Sequence, residues 1–391
     1  MKILFFTWLG SYIDDDLEYF FNKMGHDCRR IWNDHGDIPN RYEDDTFLEY
    51  FEGQVLSECF DVCFTTNYWP LVAEGCHRHG LPYISWSYDS PPNLPKTDTM
   101  EYDTNYIFFF SRDDVDDYKK KGIEHVYHMP LAVNTDRWAK VRANNLAFSS
   151  DISLVGKTYQ STLPTLKTRM SDYLKGYIDA IVASQQANDQ AYIIRDAVTD
   201  KLIESINGNY ATYPDNALTI SAPQLIYSIA TFVTHIDRLS LLKLLSTKFD
   251  THLYTYDLPE EEYKLIPNVK IHGQVSYEEE MPQIFKLSKI NLCPTFRGNC
   301  SGLPLRQLDV MGCGGFLLSS FRTELYEEFT DGVDTAMYYG LEDALEKADF
   351  YMTHDDIRLS IARKGYEKVK KYYTYEDRLN RMISLVRTVH G

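Results

Sequence analysis

Between Ile290 and Ser320 the sequence INLCPTFRGNCSGLPLRQLDVMGCGGFLLSS leaves few choices of fold. Ile290 to Pro294 reads as a buried strand, Thr295 to Gly302 as a polar loop, Leu303 to Met311 as a helix and Gly314 to Ser319 as a glycine-led strand. A strand, loop, helix and strand in that order form one crossover of a parallel sheet. Pro304 stands where a first-turn proline is tolerated, and Ser301 or Gly302 can cap, so the free N–H groups of the helix point back at the loop. Such a loop lies at the carboxyl edge of the sheet, where ligands bind, and a helix N-terminus suits an anion. On this stretch alone, a phosphorylated ligand and an ordinary capped crossover are equally good readings.

The same alternation runs through the rest of the chain. In the first half, strands are expected at Lys2 to Trp8, Asp27 to Ile31, Asp61 to Thr65, Tyr83 to Trp86, Asn105 to Phe110 and His125 to Met129, with helices near 43–58, 70–79 and 112–121. Asp14, Asp15 and Asp16 load the first turn of another helix, which fits the helix dipole better than a metal clamp. Residues 139–150 lose periodicity and read as a linker. Strands resume at Asp151, and then at Thr251 to Tyr256, Val269 to His272, Ile290 to Pro294, Phe316 to Ser319 and Ala336 to Tyr339. Residues from about 160 to 235 have helical spacing and read as an insertion. The expected class is therefore α/β, with two Rossmann-like domains: 1–140, then 151–375 carrying the insertion, followed by a C-terminal helix at 376–391.

Charge and cysteine usage narrow the function. A formal net charge of −17 opposes a general nucleic-acid or anionic-membrane surface, so any phosphate must be met by a local basic or N–H-lined pocket. Seven cysteines without paired spacing favour reduced, buried thiols and a cytoplasmic location. Cys59 and Cys63 have no second pair at zinc-site spacing. The N-terminus lacks a signal-peptide pattern, and no apolar run is expected to reach transmembrane length.

Two first-half loops leave strands at the expected carboxyl edge. One is Leu9-Gly10-Ser11-Tyr12, where Gly10 lets backbone approach a ligand. The other is Ser87-Tyr88-Asp89-Ser90-Pro91-Pro92, where a stiff loop positions a carboxylate that binds a hydroxyl or takes its proton; an Asx turn at Asp89 is the competing reading.

Taken together, the segments DISLVG, HIDRLSLLKLL, NVKIHGQVSYEEEMPQIFKLSKINLCPT, SGLPLRQLDVMGCGGFLLSS, ELYEEFTDGVDTAMY and IARKGYEKVKKYYTYEDRL resemble the CgeB-like, spore-maturation type of GT-B glycosyltransferases. FDVCFTTNYWP, GLPYISWSYDSPP, NYIFFFSRDDV and VYHMPLAVNTDRW resemble the N-terminal domain that accompanies that family. The resemblance leaves out about 160–235.

The resemblance implies two Rossmann-like domains facing across a cleft, the C-terminal one holding a nucleotide-sugar donor and the N-terminal one the acceptor. It implies donor contacts from Ser301 and Gly302 at the helix start, with Arg297 or Arg306 as a charged partner and Asn299 nearby. Asp309 corresponds to the acidic residue that holds ribose hydroxyls, and His272-Gly273 could lie along the base. Gly156-Lys157, with Arg238 or Lys243, could meet the charge of the leaving diphosphate. Gly10, Ser11, Tyr12 and Tyr88 fall on the acceptor side. Many retaining members carry Glu-x7-Glu, and here only the second acidic place is filled, by Asp309, with Ser301 at the first. For an inverting reaction Asp89, or an acid of the first loop such as Asp14, is the candidate base.

The expected activity is thus transfer of a sugar from a nucleoside diphosphate sugar, uridine-linked, to a glycan or protein hydroxyl, with no metal and no further cofactor. A nucleotide-sugar-binding protein without turnover and a nucleotide-sugar epimerase are the alternatives. The insertion could bind the acceptor or a second copy of the chain, and its composition decides neither.

Overall fold

The structure is a computed structural model that describes residues 1–33, 40–92, 94–213 and 218–390. Contacts divide the chain into two units. The first comprises Met1–Asn134, Ser301–Leu308 and Val369–Gly391, and the second comprises Thr135–Cys300 and Asp309–Lys368.

The first unit is built on six parallel strands: β1 (Lys2–Thr7), β2 (Asp27–Trp32), β3 (Val62–Thr66), β4 (Tyr83–Ser87), β5 (Asn105–Phe109) and β6 (Val126–His128). They lie in the order β2-β1-β3-β4-β5-β6. The second unit has six more: β7 (Ser150–Val155), β8 (Thr251–Tyr254), β9 (Lys270–His272), β10 (Ser288–Cys293), β11 (Leu317–Ser320) and β12 (Ala336–Tyr338), in the order β12-β11-β10-β7-β8-β9. All five of its pairings are parallel as well. The inner strands match apolar runs of the sequence, as expected when helices cover both faces, whereas the edge strands β2 (DCRRIW) and β9 (KIH) are polar and only partly buried.

Strand order places the sites. In the first sheet the chain winds one way from β1 to β2 and the other way from β3 onward, so the loops after β1 and β3 diverge. In the second sheet the same reversal falls between β7 and β10. A ligand crevice opens outside the strand ends at such a switch point.

The boundaries differ from those expected. Helix Tyr375–His390 belongs to the first unit, because Tyr375 stacks on Phe20 at 5.1 Å, Lys23 pairs with Glu376 at 2.7 Å, and Arg378 donates to the Pro130 carbonyl at 3.0 Å. Residues 139–150 are not a free linker. Helix Thr135–Lys140 joins the second unit, where the Lys286 ammonium binds the Trp138 and Val141 carbonyls at 2.5 and 2.7 Å.

The insertion has a core of its own, formed by Leu163, Leu174, Ile178, Ile206, Tyr210 and Ile229 among others. Its last helix, Ala222–Leu245, does not stop near 235 but continues until Leu241, Leu242 and Leu245 enter the core under the second sheet. By length and composition this helix is apolar enough to cross a membrane, contrary to the expectation that no run reaches that length; its most apolar window is 61% buried between the two cores. The seven cysteines are all free, but Cys59 is exposed and Cys28 and Cys300 are half-buried, so burial is not general.

Candidate active site

In the first unit, Asn67 organises the switch point between β1 and β3. It has φ +60°, a left-handed conformation that Asn tolerates better than most residues. Its amide donates to the Trp86 carbonyl at 3.0 Å, and its own carbonyl accepts from the Thr65 hydroxyl at 2.7 Å. The Asn67 side chain accepts from the Tyr88 amide at 3.1 Å and donates to Asp89 Oδ2 at 2.9 Å. One residue therefore ties the loop after β3 to the loop after β4 and aims the exposed Asp89 carboxylate.

Gly10, Tyr88 and Asp89 come together in one cavity of about 300 Å³, whose walls also include Asn67, Trp69 and Arg41. Gly10 needs its φ of +78°, and a Cβ there would meet the Trp32 ring at 3.1 Å. The Tyr88 hydroxyl is pushed up to about 12 by burial and then by the charge of Asp89, while a hydrogen bond with Ser11 pulls it down. Tyr12 is exposed and does not line this cavity. Asp14 is fully buried. It accepts from the Ser11 amide at 3.0 Å and the Thr66 hydroxyl at 3.1 Å, with Arg30 at 3.5 Å. Asp14 therefore shapes the Gly10–Tyr12 loop and is withdrawn from any acceptor. Burial raises its carboxyl to about 6, against the pull of Arg30.

In the second unit, Arg238 spans the switch point. Its Nη1 donates to the Lys157 carbonyl at 2.5 Å and its Nη2 to the Pro294 carbonyl at 2.6 Å, joining the loops after β7 and β10. The same guanidinium lies 4.7 Å over Tyr159, which has φ +62° and stacks on Phe296 at 5.0 Å. The Lys157 side chain is exposed, and its ammonium sits 5.5 Å over the Tyr256 ring. No ion pair holds it among the described residues. The Gly156 amide donates to the Tyr254 carbonyl at 3.0 Å, so it is not available for a leaving group. His272 stacks on Tyr254 at 4.5 Å and meets His252 at 3.2 Å; burial and the neighbouring His252 lower its pKa. Gly273, next to it, is exposed. Strand order puts the ends of β7, β8 and β9 side by side, so Lys157, Tyr256 and His272-Gly273 form one rim.

Several expected donor residues are committed elsewhere. Arg297 is buried between Asp237, 2.6 Å from Nε, and Asp189, 2.5 Å from Nη1. Burial alone would lower its pKa, and these two carboxylates raise it instead. Arg322, which the sequence reading passed over, donates to the Thr295 and Phe296 carbonyls at 3.2 and 3.4 Å; burial, then repulsion from Arg297, lowers it to about 10. Arg238, Arg297 and Arg322 thus brace the exit of β10 rather than offer charge to a ligand. Asn299 is buried, and its amide closes a turn on Phe296 at 3.0 Å.

The helix start also differs from expectation. The Ser301 hydroxyl lies 3.0 Å from that of Ser111 and accepts from the Asp113 amide at 3.2 Å. A Cβ on Gly302 would meet the Phe110 ring at 2.8 Å and Ser111 Cα at 2.9 Å. Both residues are buried within the first unit, so this helix start is not open in this conformation. Arg306 is half-buried on the first turn of helix Leu305–Gly312. Asp309 is buried and accepts from the Tyr277 hydroxyl at 2.9 Å, the kind of contact expected from a ribose.

Two comparisons bear on this arrangement. Residues 237–384 match the family described as glycosyl transferase-like. No curated protein matches the sequence. Among solved structures, a glycosyltransferase from Rickettsia africae superposes with a TM-score of 0.61 at 9% identity, covering 99% of this chain and 98% of its own. Sucrose-phosphate synthase from Thermosynechococcus elongatus gives 0.58 at 11% identity, covering 100% and 99%. Anabaena Alr3699/HepE, solved in complex with UDP and glucose, gives 0.57 at 10% identity, covering 99% and 100%.

The fold is GT-B. A GT-B chain presents two parallel sheets, and here each has loops gathered at its switch point: Asn67 and Asp89 in the first, Arg238 and Lys157 in the second. The residues that sequence reading missed are Asn67, Trp69, Arg41 and Arg322. Asn67 alone had a usable signal, a polar residue directly after the apolar strand VCFTT.

Proposed function

We propose that this protein is a glycosyltransferase of the CgeB-like type that moves a sugar from a uridine-linked nucleoside diphosphate sugar to a hydroxyl of a glycan or protein acceptor. The observation that carries the reading is that the glycosyl transferase-like match, 237–384, falls mostly on the second unit, which has an exposed cation beside its switch point, inside a GT-B architecture. HepE, of the same fold, was solved with UDP-glucose, which supports a donor of that kind.

In this reading the Lys157 ammonium meets the diphosphate, Arg238 holds the loop that carries it, and the base lies along His272-Gly273. Positive charge at the departing oxygen stabilises the transition state, so Lys157 takes the part that a divalent ion plays elsewhere. Asp89 takes the proton of the attacking hydroxyl as the bond from anomeric carbon to diphosphate breaks, giving inversion in a single displacement. Ser301 at the first acidic place of the Glu-x7-Glu pattern agrees with that course. Free thiols suit a reducing compartment, and we place the protein in the cytoplasm.

The test incubates the full chain with a panel of nucleotide sugars, with and without acceptor mixtures and with a chelator. Released nucleoside diphosphate and the anomeric form of the product are measured. Acceptor-dependent release of UDP that survives chelation is expected. Binding without release makes the protein a sensor, and conversion of one donor into another makes it an epimerase; either result overturns the reading.

A further inference from the structure

Arg41 and Asp89 line the same cavity of the first unit, and Arg41 has neither hydrogen bond nor ion pair among the described residues. Acids outnumber bases by 57 to 40, and Arg30 and Arg78 of the same unit are paired with them, Arg30 with Asp15 and Arg78 with Glu74. Arg41 is instead held by a ring, its guanidinium 5.0 Å from the centre of Trp69. Trp69 is a firm platform. It stacks on Trp8 at 4.6 Å with 8° between the planes, its indole N–H donates to the Thr66 carbonyl at 3.0 Å, and its amide donates to the Tyr83 hydroxyl at 3.1 Å.

The geometry points to an acceptor that carries an anionic group beside its reacting hydroxyl. A guanidinium parked on an aromatic face keeps its N–H fork free for the two oxygens of a carboxylate or phosphate. Asp89, held by Asn67, supplies the acceptor for a hydroxyl in the same cavity. The net charge of −17 repels anions over most of the surface, so an anionic ligand needs such a local cation to be held. A cavity of about 300 Å³ is at the lower end of the range for small-ligand sites, which suits a compact sugar acid or sugar phosphate. This inference rests on the acceptor-side role proposed above and names the substrate class for it.

The test measures binding of glucose, glucuronate and glucose 6-phosphate to the full chain at low salt, for the unmodified protein and for Arg41→Gln, Arg41→Lys and Asp89→Asn. At least one anionic sugar should bind about tenfold or more tighter than glucose, as a charge-assisted contact gives. A preference for glucuronate alone assigns the group as carboxylate, and one for glucose 6-phosphate alone as phosphate. Arg41→Gln should abolish the preference, Arg41→Lys should keep part of it, and Asp89→Asn should keep it while weakening glucose. Equal binding of all three sugars, or a preference that survives Arg41→Gln, overturns the inference. UDP-glucose binding measured alongside separates the two readings. If it persists without an anion preference, only the Arg41 assignment fails; if it is absent while the preference holds, the transfer reading fails instead.

Discussion

The Arg238 guanidinium donates to the Lys157 carbonyl at 2.5 Å, so a buried cation fixes the backbone that presents an exposed one. The two residues divide the work at the second switch point. Arg238 faces inward to carbonyls and to Tyr159, and Lys157 faces outward over Tyr256.

Arg238→Lys keeps the charge but not the fork, so one of the two carbonyls loses its donor. The folded state should lose about 1–3 kcal/mol, measured by urea unfolding, and donor affinity should fall with it.

Lys157→Ala should act differently, because the side chain is solvent-exposed. Its unfolding free energy should stay within about 0.5 kcal/mol of the unmodified protein. The dissociation constant for UDP should rise about tenfold, as titration calorimetry would show. Loss of stability with unchanged UDP binding would make Lys157 structural.

Asp89→Asn leaves a side chain that still accepts from Asn67 but takes no proton. Transfer should fall by about a hundredfold or more while UDP affinity is unchanged. Normal turnover would return the loop to a structural role.

Asp14 gives a pH signature. Its folded pKa, about 6, lies above the ordinary value of 3.8, so the folded state holds the proton more tightly than the unfolded chain. Its contribution is therefore most favourable below pH 4 and declines as pH rises through 6. At about 1.4 kcal/mol for each of about two pH units, ionising it costs about 3 kcal/mol. The stability of Asp14→Asn relative to the unmodified protein should thus improve by about 3 kcal/mol between pH 4 and pH 7 and then level off. A constant difference across that range would mean that the carboxyl is not desolvated.

The fold was legible because it is written in local patterns. Runs such as KILFFT and THLY are buried on both faces, and only a covered parallel sheet accommodates them in alternation with helices. Of the candidate site, the sequence pointed to places where a glycine or a charged residue follows a strand, as at Gly10, Asp89 and Gly156-Lys157. Arg297 and Arg238 look like donor ligands in sequence, yet Asp189, Asp237 and the Pro294 carbonyl, distant in the chain, claim them. Ser301 and Gly302 look like an open helix start, and their burial depends on Phe110 and Ser111, nearly two hundred residues earlier, a contact no local rule encodes. Helix Ala222–Leu245 joins two cores that the sequence reading had separated.

The central claim is that the second unit holds a nucleoside diphosphate on the rim made by Lys157 and His272-Gly273. A crystal structure of the full chain soaked with UDP tests it most directly. Phosphate oxygens should lie within hydrogen-bonding distance of the Lys157 ammonium, with the uracil alongside Gly273. Phosphate lodged at Ser301 and Gly302 instead, with Phe110 displaced, or no UDP bound in the second unit, would contradict it.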